Sequence, residues 1–432
     1  MNQRMKLLCL SNGHGEDAIA LRIIQQLQQH PNCPQLAALP IVGKGQTYTR
    51  HGIPVIGQVK AMPSGGFIYM DGRQFARDLQ GGLAQLTWTQ LQTVQAWARE
   101  GGIILAVGDI VPLLFAWWSG APYAFVGTAK SEYYLRNEQG VLPRGSWFEQ
   151  LESAWGSVYL PWERWLMSRP RCKAVFPRDT LTAETLSQWS IPAFDVGNPM
   201  MDGLEPAGIN LLRAQGELTF VLLPGSRVPE AYENWEIILE AVSELLKTSG
   251  LLKTLGMLKT LGLGQTLLES AQTSIRFLGA IAPTVDPTLL CRLLERHGWT
   301  LVPQSALTFK QGNATLLLTL SAFNDCLHQA DMAIAMAGTA TEQFVGLGKP
   351  AFTLSGRGPQ FTSTFAEAQT RLLGDSVIWV RHPSQLPSAV QALLQDSQRL
   401  QHIGKDGRRR LGNSGASERI AQLLLKQFSL PT

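Results

Sequence analysis

The sequence has 432 residues, of which 37 are Lys or Arg and 33 are Asp or Glu, so its formal net charge is +4. A hydrophobic share of 45% excludes a wholly disordered chain, and so small a net charge gives no electrostatic reason to expect a nucleic-acid partner. The five cysteines include no Cys-x-x-Cys pair, so we expect a protein of the reducing cytoplasm without a disulfide framework or zinc centre.

Short apolar segments alternate with amphipathic ones along the whole chain, which predicts an α/β fold with parallel sheets. The first strand is predicted at residues 6–10, and a glycine turn leads from it into a helix. Further strands are predicted at 103–107, 123–126, 174–176 and 194–196 in the first half, and at 218–223, 275–278, 299–302, 332–336, 351–354 and 377–380 in the second.

The two halves begin alike, each with a strand that runs into a glycine turn and then a helix. We therefore predict one Rossmann-like domain over residues 1–205, a second over 206–415, and a last helix in 416–432 that packs back on the first domain. The two parallel sheets are expected to face a cleft, with ligands bound at the carboxyl ends of the strands. A short duplication at 252–256 and 258–262 is interpreted as a surface loop, because solenoids need longer repeats.

Two glycine turns in the second half have features of phosphate-binding loops. In Leu222–Arg227 a buried strand ends and a helix begins, so backbone N–H groups and a guanidinium could hold an anion. In Met336–Glu342 small residues permit a ligand to approach closely, and the last carboxylate could accept hydrogen bonds from a ribose diol. Both segments could also be ordinary strand–helix turns, the second with a capping box. The predicted donor-binding residues are Gly225, Ser226, Arg227, Gly338, Thr339, Ala340, Thr341 and Glu342.

A glycine turn with reactive side chains follows the first predicted strand. It carries the imidazole of His14 and two carboxylates, and it lacks the third glycine of a dinucleotide fingerprint, which argues against NAD. We expect this loop to bind an acceptor or a phosphate through Gly13, Gly15, Glu16 and Asp17.

Asp109 is the first candidate for a catalytic base. It follows the predicted strand at 103–107, where burial could raise the carboxyl pKa toward that of a useful base. It could instead cap a helix that begins before Pro112. His14 is the rival candidate, because an imidazole with a pKa of ~6.5 suits neutral conditions.

Several of these motifs resemble those of lipid-A-disaccharide synthases and their relatives, which are inverting glycosyltransferases with the two-domain GT-B fold. The chain looks most similar to a branch found in cyanobacteria. It departs from the synthases at residues 12–17, where they carry a Gly-Glu-Ala-Ser-Gly-Asp type loop, and at Asn198, where they usually carry His. The matching blocks are Leu223-Pro224-Gly225-Ser226-Arg227 with Glu230, Gly338-Thr339-Ala340-Thr341-Glu342 followed by Leu347-Gly348-Lys349-Pro350, and Val196-Gly197-Asn198-Pro199 with Asp202.

The resemblance implies transfer of a sugar from a nucleotide sugar, expected to be a UDP sugar, to a lipid acceptor. Asp109 would take the acceptor proton, Arg227 and helix N-termini would stabilise the leaving diphosphate, and Asn198 would lie in the interdomain stretch. Neither a metal nor another cofactor is expected, and the chain has no Asp-x-Asp triplet. Two alternatives stay open: a UDP-sugar 2-epimerase on the same two-domain plan, and a non-catalytic sugar-nucleotide-binding protein.

A lipid acceptor would require contact with the inner face of a membrane. The longest apolar stretch, 103–118, is interrupted by an Asp and a Pro and does not predict a membrane span. We therefore expect peripheral binding, with residues 67–70 as the inserting group and Lys60 and Arg73 as supporting cations.

A second aromatic stretch, 133–171, interleaves tryptophans and tyrosines with arginines. This mixture is typical of a membrane interface, where aromatic rings lie at the level of the lipid headgroups. Most large aromatic residues nevertheless belong to protein cores, and we predict that Trp117 and Trp118 do so here.

Overall fold

The computed structural model describes residues 5–60, 83–143, 153–211, 217–248, 274–303, 305, 307–358 and 361–428. The chain divides into two compact units, an N-terminal unit of Met1–Asp202 with Gly412–Thr432 and a C-terminal unit of Gly203–Leu411. The predicted membrane-inserting stretch 67–70, with Arg73, and the duplication at 252–262 lie outside the described residues.

The N-terminal unit is built around a parallel sheet with the strand order β2-β1-β3-β4-β7. A separate antiparallel hairpin is formed by β5 and β6. The strands are β1 (Lys6–Ser11), β2 (Gln35–Pro40), β3 (Ile103–Gly108), β4 (Tyr123–Gly127), β5 (Arg136–Asn137), β6 (Gly140–Val141) and β7 (Cys172–Phe176). The helices are α1 (His14–Gln29), α2 (Gln46–Thr49), α3 (Leu83–Arg99), α4 (Ile110–Trp118), α5 (Pro161–Met167) and α6 (Thr180–Ser187).

Apolar side chains cover both faces of this sheet. β3 reads Ile-Ile-Leu-Ala-Val-Gly and is buried along its whole length, which is typical of a parallel strand between two helical layers. Successive residues of β1 point to opposite faces, so Leu8 and Leu10 pack in one apolar cluster while Leu7 and Cys9 pack in another.

The C-terminal unit contains a larger sheet with the order β10-β11-β12-β9-β8-β13-β14-β15. Its parallel strands from β12 to β15 follow the 3-2-1-4-5-6 order of a Rossmann-like domain, and β10 and β11 extend one edge antiparallel. The strands are β8 (Leu218–Leu223), β9 (Ile275–Ala280), β10 (Thr300–Leu301), β11 (Thr308–Gln311), β12 (Ala314–Thr319), β13 (Met332–Ala335), β14 (Ala351–Leu354) and β15 (Val377–Val380). The helices are α7 (Glu230–Lys247), α8 (Pro287–Arg296), α9 (Phe323–Gln329), α10 (Thr339–Gly346), α11 (Ser363–Leu373), α12 (Leu386–Gln395) and α13 (Ser397–Leu411). The predicted α/β class with parallel, Rossmann-like sheets is confirmed.

The last helix, α14 (Ala416–Phe428), belongs to the N-terminal unit. Its Ile420 packs in the same apolar cluster as Ile23 of α1. The carboxylate of Asp202 accepts hydrogen bonds from three consecutive backbone N–H groups, those of residues 415–417, at 2.6, 3.1 and 2.7 Å. These bonds cap the start of α14 and tie it to the segment that follows α6.

Some predicted strands differ from the structure. The strand predicted at 194–196 is wrong, because this edge forms only an isolated bridge between Val175 and Ala193. Pro192 has no N–H group to continue a ladder there. The strand predicted at 299–302 is shorter in the structure, where β10 comprises only Thr300–Leu301. The strands β2, β11 and β12 were not predicted from the sequence.

The sequence predicts burial for both tryptophans at the end of α4, and the structure confirms it for one of them. Trp117 is partly buried and packs against the core of the N-terminal unit, whereas Trp118 is 53% exposed, so its assignment to the core is wrong. Trp118 is the last residue of α4 and is not among the buried residues of that helix. Across the described ranges, no helix is both long enough and apolar enough to cross a bilayer.

Candidate functional site

The carboxyl ends of β1 and β3 lie side by side at the switch point of the N-terminal sheet, the place where open parallel sheets bind ligands. Ser11 pairs with Val107, so the residues that follow these two strands meet at the sheet edge. The Nδ2 group of Asn12 donates to both carboxylate oxygens of Asp109, at 3.2 and 3.1 Å. The structure thus brings Asp109 together with Asn12, a residue of the loop motif to which the sequence assigned no role.

Asp109 is both a helix cap and a half-buried carboxylate. Its Oδ1 accepts a hydrogen bond from the backbone N–H of Val111 at 2.9 Å, which caps α4. Burial raises the pKa of the carboxyl group, and the hydrogen bonds from Val111 and Asn12 only partly oppose this rise. The raised pKa makes Asp109 a better proton acceptor near neutral pH than an ordinary surface carboxylate.

Glu16, in the first turn of α1, is a second half-buried carboxylate at this edge. Its Oε1 accepts from the hydroxyl of Thr128 at 3.5 Å. Burial raises its pKa, and the charges of Asp109 and Asp17 add to the rise. Gly108 makes room for this side chain: its φ is +132°, and a Cβ there would lie 3.2 Å from Glu16 Cγ. The charge of Asp109 thus disfavours ionisation of Glu16.

Glu16→Gln should stabilise the protein at neutral pH. Because the folded state raises the pKa of Glu16, the folded protein holds this proton more tightly than the unfolded chain, and stability falls as the pH rises above ~4.3. We expect a gain of about 0.5–2 kcal/mol at pH 7 that disappears near pH 4. Thermal unfolding between pH 4 and 8 measures it, with Glu184→Gln on the exposed face of α6 as control. A gain that is independent of pH would contradict the prediction.

The side chain of Asp17 is hydrogen-bonded inside the N-terminal unit. Its side chain is buried, and its Oδ1 accepts from the hydroxyl of Ser11 at 2.5 Å. The Ser11 hydroxyl also lies 2.6 Å from the hydroxyl of Tyr48, which is buried as well. This chain of bonds fixes α1 on the end of β1, so Asp17 serves the geometry of the loop.

The glycine turn before α1 has the backbone that the sequence predicts for it. Gly13 precedes the helix with a φ of +131°, and Gly15 is exposed with nothing within 4 Å of the place of a Cβ. α1 begins at His14, whose side chain is outside the described part of the structure. The choice of base between His14 and Asp109 stays a prediction.

Two glycine turns meet at the switch point of the C-terminal sheet, where β8 and β13 are neighbours. The N–H group of Met336 donates to Leu223 O at 2.8 Å. Asn234 of α7 donates its Nδ2 to Pro224 O at 3.0 Å and to Met336 O at 3.3 Å, so one buried amide ties both turns together. Gly225 has a φ of +95°, and a Cβ there would lie 3.3 Å from Met336 O. Both the positive φ and the nearby carbonyl oxygen favour glycine at position 225.

The turn after β8 presents Ser226 and Arg227 to solvent. The hydroxyl of Thr284, in the loop after β9, donates to Ser226 O at 2.7 Å and holds the turn in place. Arg227 O accepts from the N–H of Ala231 at 2.8 Å, so the arginine stands directly before the N-terminus of α7. A guanidinium at the positive end of a helix dipole is a favourable arrangement for an anion.

Glu230 has a structural role at this edge. Its buried Oε1 accepts from the N–H of Phe361 at 2.7 Å, and a Cβ on Gly358 would come within 2.5 Å of Glu230. A Cβ on Gly356 would likewise lie 2.8 Å from Oδ1 of Asn234. The segment after β14 therefore packs against the start of α7 and adds a third turn to the same edge.

The turn after β13 leads into α10 through small residues. Gly338 is the N-cap and brings no capping side chain, and Thr339 is exposed in the first turn beside Ala340. Glu342 is half-buried in the same turn. The backbone at the start of α10 is thus approachable, as the prediction of a donor site requires.

Thr341 differs from its neighbours because its side chain is fully buried. Its hydroxyl donates to Ala337 O at 2.6 Å, and Nε2 of Gln369 donates to the same oxygen at 3.0 Å. This back-bonding to a carbonyl four residues earlier is common for threonine in helices. Thr341 therefore shapes the turn, and its hydroxyl is committed to Ala337.

Asn198 lies in the N-terminal unit, in the segment that leads to Asp202. Its Oδ1 accepts from the N–H of Met200 at 3.0 Å, while its Nδ2 is buried without a hydrogen-bond partner among the described residues. Its backbone N would lie 3.4 Å from a Cβ on Gly412, so this segment packs closely on the chain before α14. Its predicted interdomain role stays a prediction.

No protein-family model matches the chain, and no curated protein matches it. Solved structures do match over nearly its whole length. A putative UDP-N-acetylglucosamine 2-epimerase from Listeria monocytogenes is 12% identical, with a TM-score of 0.55, over 99% of this chain and 97% of its own. UDP-GlcNAc 2-epimerase from Neisseria meningitidis, bound to UDP-GlcNAc, is 15% identical, with a TM-score of 0.53, over 98% and 100%. MurG from Acinetobacter baumannii is 14% identical, with a TM-score of 0.53, over 98% and 99%.

These likenesses establish the fold. The similar structures are GT-B fold proteins, and their coverage extends across both units of this chain. The GT-B class expected from the sequence is therefore confirmed. Identities of 12–15% do not assign an activity, and they do not single out the lipid-A-disaccharide synthases.

Proposed function

We propose that this protein is a glycosyltransferase that binds a UDP sugar through its C-terminal unit and transfers the sugar to an acceptor hydroxyl. The observation that carries the proposal is the paired glycine turns at the β8–β13 switch point, joined by Asn234 and flanked by Arg227. A structure of the same fold class holds UDP-GlcNAc, which supports this class of ligand.

The C-terminal edge suits a diphosphate. Negative charge grows on the leaving diphosphate as the sugar departs, so donors already in place lower the energy of the transition state. Backbone N–H groups at the start of α10 and the guanidinium of Arg227 would supply them, and Glu342 would accept from the ribose hydroxyls. Gly225 and Gly338 permit the phosphates to approach the backbone closely.

The N-terminal edge suits proton removal. Asp109 would accept the proton of the acceptor hydroxyl, helped by the burial that raises its carboxyl pKa. Asn12 holds this carboxylate through both of its oxygens, which fixes its orientation. The acceptor is proposed to be a lipid, as in the lipid-A-disaccharide synthases that the sequence motifs resemble.

A UDP-sugar 2-epimerase is the second candidate. Two of the structures reported above bear that name. The pair of half-buried carboxylates, Glu16 and Asp109, also suits the moving of a proton on a free nucleotide sugar. Such an enzyme would convert its substrate without any acceptor.

Ligand binding is tested by thermal unfolding with UDP, UDP sugars and other nucleotides. A nucleotide at 100 times its dissociation constant should raise the free energy of unfolding by ~2.7 kcal/mol. We expect UDP and UDP sugars to stabilise the protein and adenine nucleotides to do so less. Absence of any stabilisation by uridine nucleotides would refute the proposal.

The reaction is tested by incubating the protein with UDP-GlcNAc, with and without a lipid extract as acceptor. Release of UDP only when lipid is present supports the transferase. A new epimer in the proton NMR spectrum without lipid supports the epimerase. Binding without either product would indicate a sugar-nucleotide-binding protein that lacks catalysis.

A further inference from the structure

Four exposed tryptophans lie on one flank of the N-terminal unit. Trp118, Trp155, Trp162 and Trp165 are 53%, 37%, 50% and 45% exposed. Tryptophan is usually well buried, and apolar groups that remain exposed together mark an interaction surface.

Ring contacts and neighbouring positions on α4 and α5 connect these residues. The ring of Trp165 lies 5.3 Å from that of Trp117, the neighbour of Trp118 on α4, and the rings of Trp155 and Trp162 are 6.0 Å apart. Trp162 and Trp165 are three residues apart on α5, so they share one face of that helix. We call Trp118, Trp155, Trp162 and Trp165 the tryptophan surface.

Arginines are interleaved with this surface. The Arg169 guanidinium lies 4.3 Å from the ring centre of Trp165. Arg164 donates to the backbone oxygen of Trp155 at 2.9 Å, and Arg171 donates to a backbone oxygen at the end of α4 at 3.1 Å. Lys130 adds a further cation near this surface, and it forms an ion pair with Glu163, which lies between Trp162 and Trp165 on α5. The patch therefore combines aromatic rings with positive charge.

We propose that the tryptophan surface docks on an anionic lipid bilayer. Tryptophan rings favour the headgroup level of a membrane, where the indole is apolar and its N–H group can still reach water. Positive charges beside them attract acidic lipids, and each adds about a fivefold gain in binding. A second copy of the chain is a poorer partner, because a two-fold contact would bring the same arginines together.

This inference does not rest on the proposed transferase reaction. An enzyme that acts on a free nucleotide sugar could carry the same surface. The vesicle-binding test and the catalytic tests can therefore give negative results independently of one another. The tryptophan surface includes none of the residues 67–70, which lie outside the described residues.

The test is flotation of the full-length protein with vesicles of phosphatidylcholine containing about one-third phosphatidylglycerol, compared with pure phosphatidylcholine. We expect the protein to float with the anionic vesicles, and the double variant Trp162→Ser with Trp165→Ser to bind at least ~10-fold more weakly. Trp88→Ser is the matched control, because Trp88 is 61% exposed on α3 and is not part of the patch. Arg164→Gln with Arg169→Gln should weaken binding to anionic vesicles by about 10- to 25-fold and spare binding to neutral ones.

A measurement on the unaltered protein removes any dependence on the folding of the variants. Lipids brominated on the acyl chains should quench part of the tryptophan emission of the wild-type protein on anionic vesicles. Absence of flotation, absence of quenching, or full vesicle binding by a folded Trp162→Ser, Trp165→Ser protein would overturn the proposal. A wild-type dimer that this double variant dissociates, with no vesicle binding, would assign the surface to a second copy instead.

Discussion

Asp109→Asn should reduce turnover by ~10²–10⁴ and leave nucleotide binding unchanged, because the amide keeps the shape of the carboxylate but cannot accept the acceptor proton. The variant should fold, since its oxygen can still accept the bond from Val111 that caps α4. The Nδ2 of Asn12 faces both carboxylate oxygens, so the Asn12 amide must rotate to accept from the new N–H₂ group through its Oδ1, which is buried without a hydrogen-bond partner among the described residues. Steady-state release of UDP gives the rate, and calorimetric titration with UDP gives the affinity.

Two companion variants make this result interpretable. Asp195→Asn removes an exposed carboxylate from the same unit and should leave the rate unchanged. His14→Gln should have a smaller effect if His14 only orients the acceptor. If both Asp109→Asn and His14→Gln are severe and their combination is no worse, the two residues act as a pair. Full activity in a folded Asp109→Asn protein would pass the role of base to His14.

Arg227→Ala should weaken binding of UDP by roughly 10- to 100-fold. The substitution removes a charge-assisted contact to the diphosphate, worth about 1.5–3 kcal/mol. Arg227 is exposed directly before the N-terminus of α7, where a guanidinium can reach a bound diphosphate. Calorimetric titration with UDP and with uridine separates the diphosphate contribution, because uridine affinity should not change.

Arg296→Ala is the matched control for charge. Arg296 is an exposed arginine in the last turn of α8, in the same unit. The Arg296→Ala substitution should leave the affinity for UDP within about twofold of the wild-type value, as expected for a distant surface charge. If Arg227→Ala binds UDP as tightly as Arg296→Ala, the assignment of the diphosphate to the β8 turn is wrong.

The fold was largely predictable because its main strands are local features. β3 is a continuous apolar run and β8 is interrupted only by Thr219. Both end near glycines, so both were predicted close to their true bounds. β2 reads Gln-Leu-Ala-Ala-Leu-Pro, and alanine has no preference for strands. β12 becomes a strand by pairing with β9, which lies far away in the sequence. β12 also pairs antiparallel with β11 across the two-residue turn Gly312-Asn313, and this local hairpin signal was overlooked.

The turns of the candidate site were predictable from the sequence, whereas most of the residues that hold those turns in place were not. Glycine after a buried strand marks the turn at Gly225, and the carboxylate after β3 marks Asp109. Asn12 and Thr284 gain their roles only from distant partners. Asn234 did leave a signal, since it is a buried polar residue on the apolar face of α7.

The placement of α14 in the N-terminal unit affects the order in which the protein can be made and folded. The chain leaves this unit after Asp202 and returns at Gly412, so residues 412–428 are synthesised after the whole of the C-terminal unit. Domains usually fold in the order in which they leave the ribosome. Here the first unit cannot complete its helical layer until that last segment emerges, and until then Ile23 lacks its contact with Ile420 while the Asp202 carboxylate lacks its three N–H donors. The unit that begins first is therefore the one that is completed last.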